Sequence, residues 1–119
     1  MVNAEKYIPG IKKYTGAVDE GAVAGIVKHL GIALRKRDAS FVASTDPKEL
    51  ERVRESWLKK KLALAESDAE LDKAIHEVVE KMKAERMKER VTVYYLLAEH
   101  FNKLGTLRKT PDVQQKKTA

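Results

Sequence analysis

Apolar residues recur at helical spacing along most of the chain, and no strand-like alternation is sustained for long enough to matter. The densest stretch is Arg90 to Leu104, RVTVYYLLAEHFNKL. On a helical wheel Val93, Tyr94, Leu97, Phe101 and Leu104 share one face, and Val91, Tyr95, Leu96 and Ala98 widen it. Only Thr92, Glu99 and Lys103 form a clear polar stripe. A helix that is apolar around roughly two-thirds of its circumference must be covered on several sides. It is therefore expected at the centre of a small bundle, over about Val91 to Leu104.

The remaining pattern supplies its neighbours. Proline is tolerated in a first turn, so Pro9 to Tyr14 is predicted as a brief helix with Ile8, Ile11 and Tyr14 inward. Asp19 and Glu20 open a second helix, along which Val23, Ile26, Val27, Leu30 and Leu34 repeat. Gly21, Gly25 and Gly31 weaken it unless they serve a close helix contact. Asp38 to Ser44 is expected to form a single helical turn burying Phe41 and Val42. In Thr45-Asp46-Pro47-Lys48-Glu49 the N-cap is Asp46, Pro47 takes the first helical position, and Glu49 stands where a capping box reaches back. That helix should run to about Lys61 and bury Leu50, Val53, Trp57, Leu58 and Leu62. Ser67-Asp68-Ala69-Glu70 repeats the capping pattern ahead of Leu71, Ile75, Val78, Val79 and Met82. An unbroken helix from Asp68 to Leu104 would be about 55 Å long, whereas a domain of this size has a radius of gyration near ~14 Å. A break is expected between Arg86 and Arg90, and Gly105 is the expected C-cap. The fold class read from the pattern is all-α: one compact domain of about five helices over residues 1–105, with 106–119 a disordered basic tail.

Composition narrows the possible chemistry. The chain holds no cysteine, which excludes disulfides, thiolate nucleophiles and cysteine-ligated metals. Its longest apolar run is far short of the roughly 20 residues that cross a bilayer, and the start lacks a secretory core, so a cytoplasmic protein with no membrane contact is expected. The net charge of +6 invites a nucleic-acid reading. Half of it, however, comes from residues 106–119, where Arg108, Lys109, Lys116 and Lys117 stand against Asp112. The basic runs Arg35-Lys36-Arg37 and Lys59-Lys60-Lys61 fall at helix ends, where cations complement the dipole. As phosphate contacts, these six residues together with the basic tail are the nucleic-acid alternative.

Histidines 29, 76 and 100 are not spaced as a metal motif, and His76 falls on a polar face. His29 flanks the buried stripe of its helix and His100 falls within the apolar arc of the central helix beside Glu99; the two could share a metal or small-ligand site with a carboxylate if their helices were neighbours. The chain carries neither a GxSxG elbow nor a phosphate-binding glycine loop. No enzyme activity and no cofactor are expected.

GIVKHLGIALRKRDASFV, DPKELERVRESWLKKKL and EKMKAERMKERVTVYYLLAEHF together resemble a small bacterial helical family, domain of unknown function 2853. The resemblance spans roughly residues 4–105 and is most specific in RVTVYYLLAEHF. It implies a cytoplasmic bacterial helical domain and carries over no catalytic or binding residue. The expected role is non-enzymatic, acting through protein contacts. A homodimer is expected because the last helix and Trp57 offer more apolar surface than a small bundle hides.

Overall fold

The computed structural model describes residues 4–31, 41–43, 45–85 and 88–108. A 3-10 turn over Ala4–Tyr7 leads into helix α1 (Ile8–Lys12). Helix α2 (Glu20–Leu30) follows, then a two-residue strand β1 (Phe41–Val42) and helix α3 (Pro47–Arg52). The winding of α3 widens without interruption into a π-helix over Val53–Lys61. Helix α4 (Asp68–Lys81), strand β2 (Lys88–Glu89), helix α5 (Arg90–His100) and helix α6 (Leu104–Arg108) complete the described chain.

Three helix starts form as their sequences dictate. Asp19 accepts a hydrogen bond from the Ala22 amide at 3.0 Å, Asp46 from Lys48 at 3.0 Å and Ser67 from Glu70 at 3.3 Å. Each cap satisfies an amide that the first helical turn leaves without a partner. The buried faces follow the apolar period: Val23, Ile26 and Val27 on α2; Val53, Trp57 and Leu58 on the π-helix; Leu71, Ile75 and Val78 on α4.

Helix α5 is the centre of the bundle. Every residue from Arg90 to Ala98 is buried, including Thr92, whose hydroxyl donates to Glu89 at 3.3 Å. Helix α2, the π-helix, α4 and β1 all pack against it. The excess apolar surface that suggested a dimer is thus covered within one chain, and Trp57 is fully buried there.

Several local expectations need correction. The chain does break after α4, but the helix already ends at Lys81. Phe41 and Val42 form no helical turn; they pair antiparallel with Glu89 and Lys88, while residues 38–40 and 44 of that stretch lie outside the described residues. Gly105 does not cap α5. The helix ends at His100, where Asn102 takes the left-handed conformation (φ 60°), which asparagine tolerates. Gly105 then lies inside α6, which crosses the expected boundary at residue 105 and buries Leu107 in the core. This depends on Gly25: a β-carbon there would overlap the Leu107 carbonyl, so α6 can lie directly on α2.

Candidate functional site

Two polar arrangements stand out, one buried and one exposed. The buried one begins at Glu49. Its side chain does not reach back to cap α3; it turns inward, 2.8 Å from Arg52 Nη1 and 2.7 Å from Arg90 Nη2. The Glu49 and Arg90 side chains are only 8% and 9% exposed. Arg90 also donates to the Tyr94 hydroxyl at 3.1 Å and to the Phe41 carbonyl at 3.2 Å, tying α3, α5 and β1 together. Burial raises the Tyr94 proton affinity and Arg90 opposes the rise, so the phenol stays neutral at ordinary pH. The Tyr94 ring stacks on Trp57 at 4.4 Å, and Trp57 Nε1 donates to the Tyr94 carbonyl at 3.2 Å. Outside Trp57 lies His29, 5.3 Å between ring centroids. Burial, with Lys61 adding to it, holds the His29 imidazole below its ordinary value.

The exposed arrangement is the outer side of α4. This helix buries Leu71, Ala74, Ile75 and Val78 and leaves its other side as a ridge with grooves on both flanks. Toward α3 the groove has a volume of about 530 Å³ and is lined by Thr45, Pro47, Leu50, Glu51, Arg54, Asp72, Ile75 and His76. Toward α5 one groove of about 340 Å³ runs past Glu66, Glu70, Lys73, Ala74, Glu77, His100 and Phe101. A smaller one of about 170 Å³ lies between Glu77, Val78, Lys81, Leu96, Glu99 and His100. Helix α4 carries five carboxylates, Asp68, Glu70, Asp72, Glu77 and Glu80, against Lys73 and Lys81. It is therefore an acidic ridge on a basic protein.

The edge of the ridge nearest the π-helix is held in place by ion pairs. Arg54 meets both oxygens of Asp72 at 3.1 Å and Glu55 at 2.9 Å. Lys59 bridges Asp68 at 2.6 Å and Glu55 at 3.1 Å. These pairs hold the Glu55 and Asp68 carboxyls below the usual carboxylate range and raise Arg54 and Lys59.

The sequence candidates are distributed as follows. Arg35, Lys36 and Arg37 lie outside the described residues. Lys59 is committed to carboxylates, while Lys60 and Lys61 are exposed at the end of the π-helix. His29 and His100 do not share a site. His29 rests on Trp57, whereas His100 faces Glu77 at 3.9 Å and Phe101, and none of the described grooves is lined by both. Among the described residues no group of three histidine or carboxylate side chains is placed to hold a metal ion. His76 is a surface residue, as its position on the wheel implied. The Glu49–Arg90 pair was missed by sequence reasoning; its only signal was an arginine at the head of the most apolar run in the chain.

No helix among the described residues is long and apolar enough to cross a membrane. The model of a family described as protein of unknown function (DUF2853) matches residues 6–105. No curated protein matches the chain.

Proposed function

We propose that this chain, which belongs to the DUF2853 family, is a non-catalytic contact domain of the bacterial cytoplasm, and that the outer face of α4 is where another protein docks. The observation that carries this reading is the ridge itself. It is a 14-residue helix packed on one side only, flanked by grooves, and opposite in charge to the chain as a whole. Complementary charge steers encounters and fixes register, while the partly exposed Leu50 in one groove and Phe101 in the other supply burial. The Arg54 and Lys59 pairs present the surface ready-formed, so little ordering is lost on docking. Cytoplasmic location and bacterial origin are carried by the resemblance of the sequence blocks.

The test is site-specific photo-crosslinking in cells. A photoreactive phenylalanine analogue in place of Lys73 should give a protein adduct of defined mass, and the same analogue in place of Glu20 on α2 should give none. No adduct at 73, or equal adducts at both positions, would refute the reading.

A nucleic-acid role is the second reading, favoured by the exposed Lys60 and Lys61 beside the end of α2. It requires binding to DNA or RNA at about 50 mM salt that weakens steeply as salt rises; failure to bind at that salt removes it.

A further inference from the structure

We infer that the occupant of the α4 face is a second copy of this chain, docked through its own basic pole; the inference rests on the contact reading above. Both halves of the contact are present on one protomer. The acidic half is a stripe along the α5-side groove: Glu70 and Glu77, seven residues apart, share one side of α4, and Glu66, just ahead of the helix, lines the same groove. Glu66 and Glu70 have no ion-pair partner among the described residues, and Glu77 has only His100, at 3.9 Å. The basic half is Lys60 and Lys61, exposed where the π-helix ends beside His29.

The arrangement of the two halves makes the pairing reciprocal. Arg54 meets Asp72 and Lys59 meets Asp68, so the π-helix runs antiparallel to the first turns of α4. The basic pole therefore stands at the N-terminal end of the ridge, and the acidic stripe extends away from it. Helix α4 is about 21 Å long from end to end. Two copies whose α4 helices cross, related by a twofold axis perpendicular to the diagonal from the basic pole to the acidic stripe, place each pole over the Glu70 to Glu77 stretch of the other. The same contact is made twice about a twofold axis, so association closes at the dimer and does not propagate. Exposed ion pairs are individually weak and screened by salt, so this dimer is modest in strength and falls apart as ionic strength rises. Self-association was expected from the sequence on the strength of α5 and Trp57; the fold covers both and leaves charge on α4 as its basis.

Sedimentation equilibrium on the full chain, with two charge reversals, tests this. The wild type should be dimeric at high concentration in about 50 mM salt, with its association constant reduced at least about tenfold by 500 mM. Lys60→Glu with Lys61→Glu, and separately Glu70→Lys with Glu77→Lys, should each be monomeric, because both contacts then set like charges together. An equimolar mixture of the two variants should form a heterodimer, because both contacts are again opposite in sign. Circular dichroism melts confirm that each variant folds, and Lys60→Ala with Lys61→Ala, which should weaken the dimer, replaces any reversal that does not. A wild type monomeric at low salt, a dimer indifferent to either pair, or a mixture that stays monomeric overturns the inference. If the wild type is monomeric but position 73 still yields adducts with another protein, the second copy is wrong and the contact reading stands. Absence of adducts at 73 removes the contact reading itself.

Discussion

Glu49 shows how one residue can satisfy a sequence pattern and still do something else. Its spacing from Asp46 is that of a capping box, yet the side chain turns inward because Arg90 is buried 2.7 Å away and needs a counter-charge. Helical spacing carries no information on a partner 41 positions downstream, so this pair was not legible. Removing one member of a buried pair strands the other charge. Glu49→Gln is therefore expected to cost about 3 kcal/mol, read as a lowered urea midpoint with an unchanged slope. Glu89 gives a pH dependence. Burial is the main cause that holds its carboxyl above the ordinary value, with Thr92, Lys6 and Lys13 pulling the other way. The folded chain thus holds this proton more tightly than the unfolded one. The stability it contributes is fully present below the unfolded value and is lost as pH rises through the raised one. Glu89→Gln keeps an acceptor for Thr92 without a buried charge. It should raise the melting temperature at pH 7, and the gain should vanish near pH ~4; an equal gain at both pH values would contradict this assignment.

At the scale of elements, the helix starts were legible because a cap is a local signal: Asp19, Asp46 and Ser67 each bond an amide two or three residues on. The ends were less so. The π-helix closes with Leu62 donating to the Trp57 carbonyl and Leu64 to Leu58, around Ala63 at φ 55°. Alanine pays about 1 kcal/mol for that conformation, so Ala63→Gly should raise stability by up to about that amount despite the added freedom of the unfolded chain. A lower melting temperature would mean that this turn is not left-handed in solution. Strands β1 and β2 are two residues each, too short for any alternation to register. Helix α6 is a tertiary feature, held by the contact of Leu107 with Gly25. Alanine at 25 would ordinarily strengthen a helix by about 1 kcal/mol; here Gly25→Ala should destabilise, because its β-carbon meets backbone. Leu107→Ala should cost about 2–4 kcal/mol for a buried leucine. If Gly25→Ala stabilises the chain, α6 does not lie on α2.

For the molecule as a whole, the central position of α5 was readable from its near-continuous apolar circumference, since such a helix can only be stable when surrounded. What the wheel could not give was how well six short helices would surround it. They bury it from Arg90 to Ala98 and leave only Glu99 and His100 at its open end, so the argument for association moves from apolar surface to charge. The candidate site was legible only in part. Lys60 and Lys61 were picked out as a basic run, but the acidic stripe became visible only once the fold showed which side of α4 is left uncovered. The histidines do not come together because His100, expected within the apolar arc, stands exposed where α5 ends and its covering stops, whereas His29 rests on Trp57. The contact between the two poles is tested most directly by zero-length carbodiimide coupling, which joins a lysine to a carboxylate already in contact with it, on an equal mixture of isotopically heavy and light chains at low salt. Peptides joining Lys60 or Lys61 of one isotope to Glu70 or Glu77 of the other are the expected result. Couplings confined to single chains, or between chains at other positions, would contradict the pairing of the basic pole with α4.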